Sequence, residues 1–357
     1  MAATALSPLR PKLWTPRQVL VTPEALNYAH GRAMVERAAQ LGARVVQLKN
    51  NRLGIRSDDY VQAKTTLAIV TASESARKLQ PIPPSADWQF HIAQGCPAHC
   101  QYCYLAGSLS GAPVTRAYAN IHEILGGLAP YPGDGRITSA SATRSAEGTT
   151  FEVSCYTDPL GIEHLTGSLA ECIRFFGCWD AQVQLRWTTK FDAVDELLNL
   201  DHKRKTRVRL SVTARKVSRD FEGGTATLAA RLAALRKMAI AGYPVGLTIA
   251  PIMPVENWRE EYRHLLRSIR AALDGIPHLD VTVEAITHRF TLKSKLVQLE
   301  WYPKTTLDLN EGARSRKITK FGSAKFVYPK PAMTEMRTWF ERALSDELPE
   351  ARLLYWT

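Results

Sequence analysis

Six short apolar segments, at 88–93, 151–155, 182–188, 207–212, 245–250 and 280–286, recur between stretches of helical spacing at about 120–128, 161–176, 192–200, 226–241 and 257–274. Apolar runs that short read as strands. Strands separated by helices cannot pair as hairpins, so the sheet they form is parallel. Six such units predict an α/β fold, a partial (β/α)6 barrel of the TIM type; a doubly wound open sheet is the alternative. Ahead of them lies a small α/β segment, residues 1–85. It has a Pro-rich lead-in over 1–23, a helix over Glu24 to Leu41, strands at Arg44–Leu48 and Leu67–Thr71, and a linker over 79–87 with Pro81, Pro83 and Pro84. The expected division is 1–85, a barrel over 86–290, and a C-terminal segment over 291–357. Residues 131–150, rich in Gly, Ser and Thr, read as a mobile surface insertion.

The barrel reading carries its own test, because reactive groups in such folds gather at the C-terminal ends of the strands. The first strand runs into Cys96-Pro-Ala-His-Cys100-Gln-Tyr-Cys103, and Cys155-Tyr156-Thr157-Asp158 follows the second. Thr188-Thr189-Lys190 ends the third, Ser211 lies near the end of the fourth, and Ala250-Pro251 ends the fifth. Three thiolates spaced C-x3-C-x2-C suit a 4Fe–4S cluster with one iron left open to chelate S-adenosylmethionine. Structural zinc completed by His91 or His99 is the alternative, although no second C-x2-C half is present. Cys155 stands outside the loop but on the same rim. Cys172 and Cys178 flank an apolar helix end and read as core.

A net charge of +12 favours a polyanionic partner such as nucleic acid. Over 289–330, Arg289, Lys293, Lys295, Lys304, Arg314, Arg316, Lys317, Lys320, Lys325 and Lys330 interleave with Trp301, Tyr302, Phe321, Phe326 and Tyr328. Cations that hold phosphates beside rings that stack on bases suit a nucleic-acid face; an ordinary basic C-terminal cap is the alternative. The run His202–Lys205 lies before the fourth strand, on the opposite rim, and reads as a solvated face. No apolar run approaches the length of a membrane span, and the N-terminal prolines leave no signal-peptide core. Six clustered cysteines point to a reducing cytoplasm.

At Cys96-Pro-Ala-His-Cys100-Gln-Tyr-Cys103-Tyr104-Leu105, Cys155-Tyr-Thr-Asp158, Gly161-Ile-Glu-His-Leu165, Thr189-Lys190, Lys205-Thr-Arg207-Val-Arg209-Leu-Ser211, Ala241-Gly-Tyr-Pro244 and Ala250-Pro-Ile252 the chain closely resembles the spore photoproduct lyase family. These are radical S-adenosylmethionine DNA-repair enzymes. The resemblance implies a carbon–carbon lyase that reverses a methylene-bridged thymine dimer to two thymines, on a partial barrel with a C-terminal β-hairpin against DNA. It implies Cys96, Cys100 and Cys103 as cluster ligands. Tyr102, Thr157, Asp158, Lys190, Ser211 and Ala250 would line the S-adenosylmethionine pocket. Cys155 would be the hydrogen-atom donor, Tyr104 the residue that passes the radical on, and Tyr102 a further catalytic residue. Lys320, Phe321 and Lys325 would meet the DNA, and a flavodoxin or ferredoxin would supply electrons. Thr157 stands where the family commonly has Ser, and the hairpin is poorer in Gly and Tyr. A member of the same family acting on another nucleic-acid lesion, and a non-catalytic zinc-stabilised nucleic-acid-binding protein, are the alternative readings.

Overall fold

All six expected segments are strands: Ala86–Phe90, Thr149–Val153, Val183–Thr189, Thr206–Val212, Val245–Ile252 and Val281–Thr287. They come from a computed structural model that describes residues 11–56, 58–109, 111–138, 141–318 and 324–357. The six are parallel neighbours in strict chain order. A doubly wound sheet reverses its strand order at a switch point, and this sheet does not. Gln80–Ile82 adds antiparallel to one edge and Arg352–Trp356 adds parallel to the other.

Alternation along each strand sends apolar side chains outward to the helices and polar ones inward. Leu185, Trp187, Val208, Leu210, Leu247, Ile249 and Val283 belong to the core outside the sheet. Their neighbours Glu152, Arg186, Arg209 and Glu284 are as deeply buried and meet inside the curl. Arg209 ion-pairs with Glu152 and with Glu284 (2.6 Å), and Arg186 reaches Glu284 (2.5 Å). Arg209 also donates to Ser85 Oγ (2.9 Å), at the far side of the sheet, and Tyr355 donates to Glu284 (2.9 Å). Contacts between such distant strands require the sheet to curl into a partial barrel.

A second sheet takes the order Arg44–Gln47, Gln18–Val21, Thr66–Val70, Thr115–Tyr118, Ala93–Gln94. Hydrogen bonding therefore crosses residue 85 in both directions. The barrel sheet takes Gln80–Ile82, and the N-terminal sheet takes two strands that flank the cysteine loop. Arg352–Trp356 likewise returns from the C-terminal segment to the barrel.

The helices follow expectation with local departures. Glu24–Leu41 divides into a 3-10 turn, Pro23–Asn27, and a helix, Ala29–Gln40, because Tyr28 is extended. The stretch 161–176 breaks at Gly167, whose φ is +64°. The stretch 192–200 keeps only a 3-10 turn, Asp195–Leu197. Cys178 is exposed, one turn from exposed Arg174 on the outer helix face, so it is not core; Cys172 is. The described part of 131–150 is pinned and not free. Asp87 accepts from the amides of Ile137 (2.7 Å) and Thr150 (2.9 Å), and buried Arg144 donates to the carbonyls of Pro84 (3.0 Å) and Ser85 (2.9 Å).

Removing one member of a buried ion network strands the others without counter-charge. Arg209→Met leaves Glu152 unpaired and Glu284 with Arg186 alone. Urea unfolding of this variant is expected to show a loss of ~3–5 kcal/mol; a loss no larger than that of an exposed arginine variant contradicts the network.

Candidate active site at the cysteine loop

The loop leaves the N-terminal sheet at Gln94 and rejoins it at Thr115. Its first turn requires glycine: Gly95 has φ +78°, and a Cβ there would lie 2.3 Å from the Val114 carbonyl oxygen. His99 and Cys100 pair antiparallel with Gly223 and Glu222, and the Gln101 amide donates to the Phe221 carbonyl (2.9 Å). Gln298, on the helix Leu292–Trp301, donates to the Cys103 carbonyl (3.1 Å). Lys64, on the helix Tyr60–Lys64, donates through Nζ to the carbonyls of Cys96 and Ala98.

The three thiols are free and lie close enough to feel one another's charge. Burial pushes Cys96 up to about 12 and raises Cys100 and Cys103; the Lys64 ammonium pulls Cys96 and Cys103 back, and Lys190 opposes burial at Cys100. Thiols in such surroundings lose their protons on binding a metal. Among the described residues, no three His, Cys, Asp or Glu side chains converge tightly enough to hold a single ion. Zinc needs four donors on one centre. A cluster gives each thiolate its own iron, and the donor set fits that. His99 Nδ1 hydrogen-bonds Tyr60 Oη (3.0 Å), and the His91 ring stacks on Tyr156 (centroids 4.8 Å apart).

Beside the thiols lies a cluster of polar side chains. Asp158 accepts from Thr189 Oγ1 (2.7 Å) and from the Lys190 amide (2.7 Å), which fixes the end of the third strand. Lys190 Nζ donates to Ser211 Oγ (2.6 Å), lies 4.0 Å from Glu222, and sits 5.8 Å from the centre of the Tyr102 ring. Tyr102 donates its hydroxyl to Glu222, which also takes Arg231 and Ser218 Oγ (2.8 Å). Thr157 Oγ1 is buried and has no hydrogen-bond partner, leaving a hydroxyl for a ligand to satisfy. Ala250 is half-buried near the end of its strand.

Cys155 meets this group from the second strand. The Tyr104 hydroxyl donates to the Cys155 carbonyl, which ties the phenol of the cysteine loop to the backbone that carries the isolated thiol, while 57% of Tyr104 remains exposed. Burial, and then the Glu152 carboxylate, holds the Cys155 thiol well above its ordinary range. It stays an S–H group at neutral pH.

The sequence model described as spore photoproduct lyase matches residues 14–357. The chain belongs to the spore photoproduct lyase family. It is 36% identical over 352 residues to the spore photoproduct lyase of Geobacillus sp. (strain Y412MC61), covering 97% of this chain and 100% of the relative. It is 37% identical over 350 residues to that of Bacillus subtilis (strain 168), covering 96% and 99%. A solved spore photoproduct lyase variant with dinucleoside spore photoproduct superposes with a TM-score of 0.88 at 36% identity, covering 97% of this chain and 100% of that one. Another, with bound AdoMet and dinucleoside spore photoproduct, gives 0.86 at 35% with the same coverage. The chain is thus a radical S-adenosylmethionine lyase whose cofactors are a 4Fe–4S cluster and S-adenosylmethionine.

Beyond the barrel, Ser315–Ile318 and Ala324–Val327 form the expected antiparallel hairpin. Lys320 and Phe321 lie outside the described residues. Lys325 pairs across the strands with Lys317, and burial, then Arg289 and Lys317, lowers its ammonium. Other cations of this segment are structural: Arg314 lies 3.7 Å from the Tyr328 ring centre, and Lys295 pairs with Glu311 (2.7 Å). In the run 202–205, His202 stacks on Tyr243 (3.6 Å) and Lys205 donates to the Trp179 carbonyl, so both are turn anchors and not a solvated face. Glu222, Arg231 and Lys64 were missing from the sequence reading. Among the described residues no helix is long and apolar enough to cross a membrane.

Thiolate, not thiol, is alkylated. In cluster-free protein at mildly alkaline pH, iodoacetamide is expected to label exposed Cys178 at least about tenfold faster than Cys155. Peptide mass spectrometry checks this, and comparable rates contradict a protonated, shielded Cys155.

Proposed function

We propose that this chain repairs the methylene-bridged thymine dimer in DNA, with Cys96, Cys100 and Cys103 holding the cluster and Cys155 closing the reaction. The observation that carries the reading is the meeting of Cys155 with Tyr104. It places a half-buried, protonated thiol next to the loop where the radical begins. When bound, the cluster and S-adenosylmethionine supply the 5′-deoxyadenosyl radical that opens the lesion. Tyr102, Thr157, Asp158, Lys190, Ser211 and the backbone at Ala250 line the cofactor's pocket. Lys190 contributes a cation and Thr157 an unsatisfied hydroxyl; Asp158 holds the turn that carries Lys190.

Once the bridge has broken, a thymine methyl radical remains. Cys155 gives it the hydrogen atom of its S–H group, leaving a thiyl radical. Tyr104 then gives the hydrogen atom of its hydroxyl to the sulfur, leaving a phenoxyl radical on an exposed ring. Such a donor must be a thiol, and burial keeps it one. The protein's part is positioning and exclusion of competing reactions.

The hairpin is the DNA face. Arg289, Lys317 and Lys325 crowd together, and no carboxylate among the described residues pairs with any of them. Crowded cations of this kind suit phosphates. Arg289 also lies within the field of Tyr104, which ties the hairpin to the rim. A small one-electron carrier, a flavodoxin or ferredoxin, supplies the reducing electron.

Cys155→Ala is expected to keep its iron, keep cleaving S-adenosylmethionine and still consume dinucleotide spore photoproduct, while giving adducts of the trapped product radical in place of thymine. Mass spectrometry of the products decides, and clean thymine at wild-type yield removes Cys155 from the mechanism. Each phosphate contact releases counterions. Charge reversal at Lys320 and Lys325 is therefore expected to weaken duplex binding and flatten its salt dependence, with little effect from reversal at Lys203 and Arg204. The opposite ranking would put the DNA on the other rim.

A further inference from the structure

We infer that Lys64 is a positioning residue of the cysteine loop whose fixed charge favours the reduced, more anionic state of the cluster. This rests on the assignment of Cys96, Cys100 and Cys103 as the cluster's ligands. Lys64 ends the short helix Tyr60–Lys64, which belongs to the N-terminal α/β unit and not to the barrel. Its side chain turns inward, only 6% of the residue is exposed, and both of its hydrogen-bond acceptors are carbonyls of the loop, at Cys96 and Ala98.

Lysine is almost never this buried unless it is paired. Among the described residues, no carboxylate lies within 4.0 Å of Lys64 Nζ. Lys190, the other ammonium beside the thiols, has Glu222 at 4.0 Å. Carbonyls solvate an ammonium but do not neutralise it, and an uncompensated buried charge is strongly unfavourable. The protein side chains therefore leave a countercharge to be supplied.

The loop that Lys64 grips supplies it. Three thiolates exceed the formal charge of the oxidised core, and reduction adds one further negative charge. The other polar side chains on this side supply no carboxylate: Tyr60 hydrogen-bonds Tyr302 (2.7 Å) and His99 (3.0 Å). The net charge around a cluster is a principal determinant of its potential. Lys64 is thus the unbalanced cation on the N-terminal side, and it acts more strongly on the reduced state than on the oxidised one.

The test compares anaerobically reconstituted wild type with Lys64→Arg, Lys64→Gln and Lys64→Met. Iron and sulfide are assayed, and the cluster is titrated potentiometrically with EPR detection of its reduced form, without S-adenosylmethionine or DNA. Gln keeps N–H donors and loses the charge; Arg keeps the charge. Both neutral variants are expected to show at least a tenfold lower ratio of reduced to oxidised cluster at a fixed potential, a shift of ~59 mV for one electron. Arg should stay near wild type. If circular dichroism shows that the Met variant does not fold, the Gln variant decides. Iron lost from both neutral variants yet kept by Arg supports the same conclusion. A Gln variant with wild-type iron and potential overturns it, leaving Lys64 a hydrogen-bonding role at most. Wild-type protein that takes up no iron would instead overturn the ligand assignment.

Discussion

The described residues between 95 and 114 have little regular structure of their own, so the positions of the three thiols are imposed from outside. The N-terminal sheet holds both ends of the loop, at Ala93–Gln94 and Thr115–Tyr118. The strand pair formed by Glu222 and Gly223 holds its middle, and Gln298 holds the carbonyl of Cys103. These are mainly backbone hydrogen bonds, and buried backbone groups left unpaired are expensive. The loop therefore keeps its shape while its side chains remain available. Each support comes from a different part of the chain, which gives the N-terminal sheet and the helix Leu292–Trp301 a reason to pack against a barrel that could close without them.

The same logic runs through the barrel interior. A hydrophobic filling would stabilise a curled sheet at less risk, since a buried ion pair returns little net energy once desolvation is counted. Here the inner layer is Glu152, Arg186, Arg209 and Glu284, every one of them paired. Its electrostatic reach extends to the rim, where Glu152 opposes ionisation of Cys155. The charges that tie distant strands together also help set the state of the thiol above them.

The six strands were legible because each carries apolar residues at strand length, and those residues do face the helices. The chain order of the sheet was legible for the same reason. Helix boundaries were less so. Apolar spacing at 161–176 continued across Gly167, where a left-handed backbone interrupts the helix, and at 192–200 buried Val194 and Leu197 serve a short turn. Composition misjudged individual cations. Arg314 and Lys205 looked like phosphate ligands or a solvated face, yet both are tied into the structure. Glu222, Arg231 and Lys64 were invisible for a physical reason: a charged residue in sequence resembles a surface residue until its partner is known. Tyr102 and Glu222, for instance, are 120 positions apart.

Cys155 shows how one environment selects among the chemistries open to cysteine. A nucleophilic cysteine needs its thiolate, and enzymes that use one place it beside a base, a cation or a helix N-terminus. At Cys155 burial and the Glu152 carboxylate act in the opposite direction. The nearby guanidinium of Arg209 is committed to Glu152 and Glu284, so it does not tip the balance. Tyr104 binds the carbonyl of Cys155, fixing the backbone beneath the thiol without ionising it. A site with these features is a poor nucleophile and a competent source of a hydrogen atom, because homolytic transfer requires the proton and electron to leave together. Its weakness in one chemistry is the condition for the other.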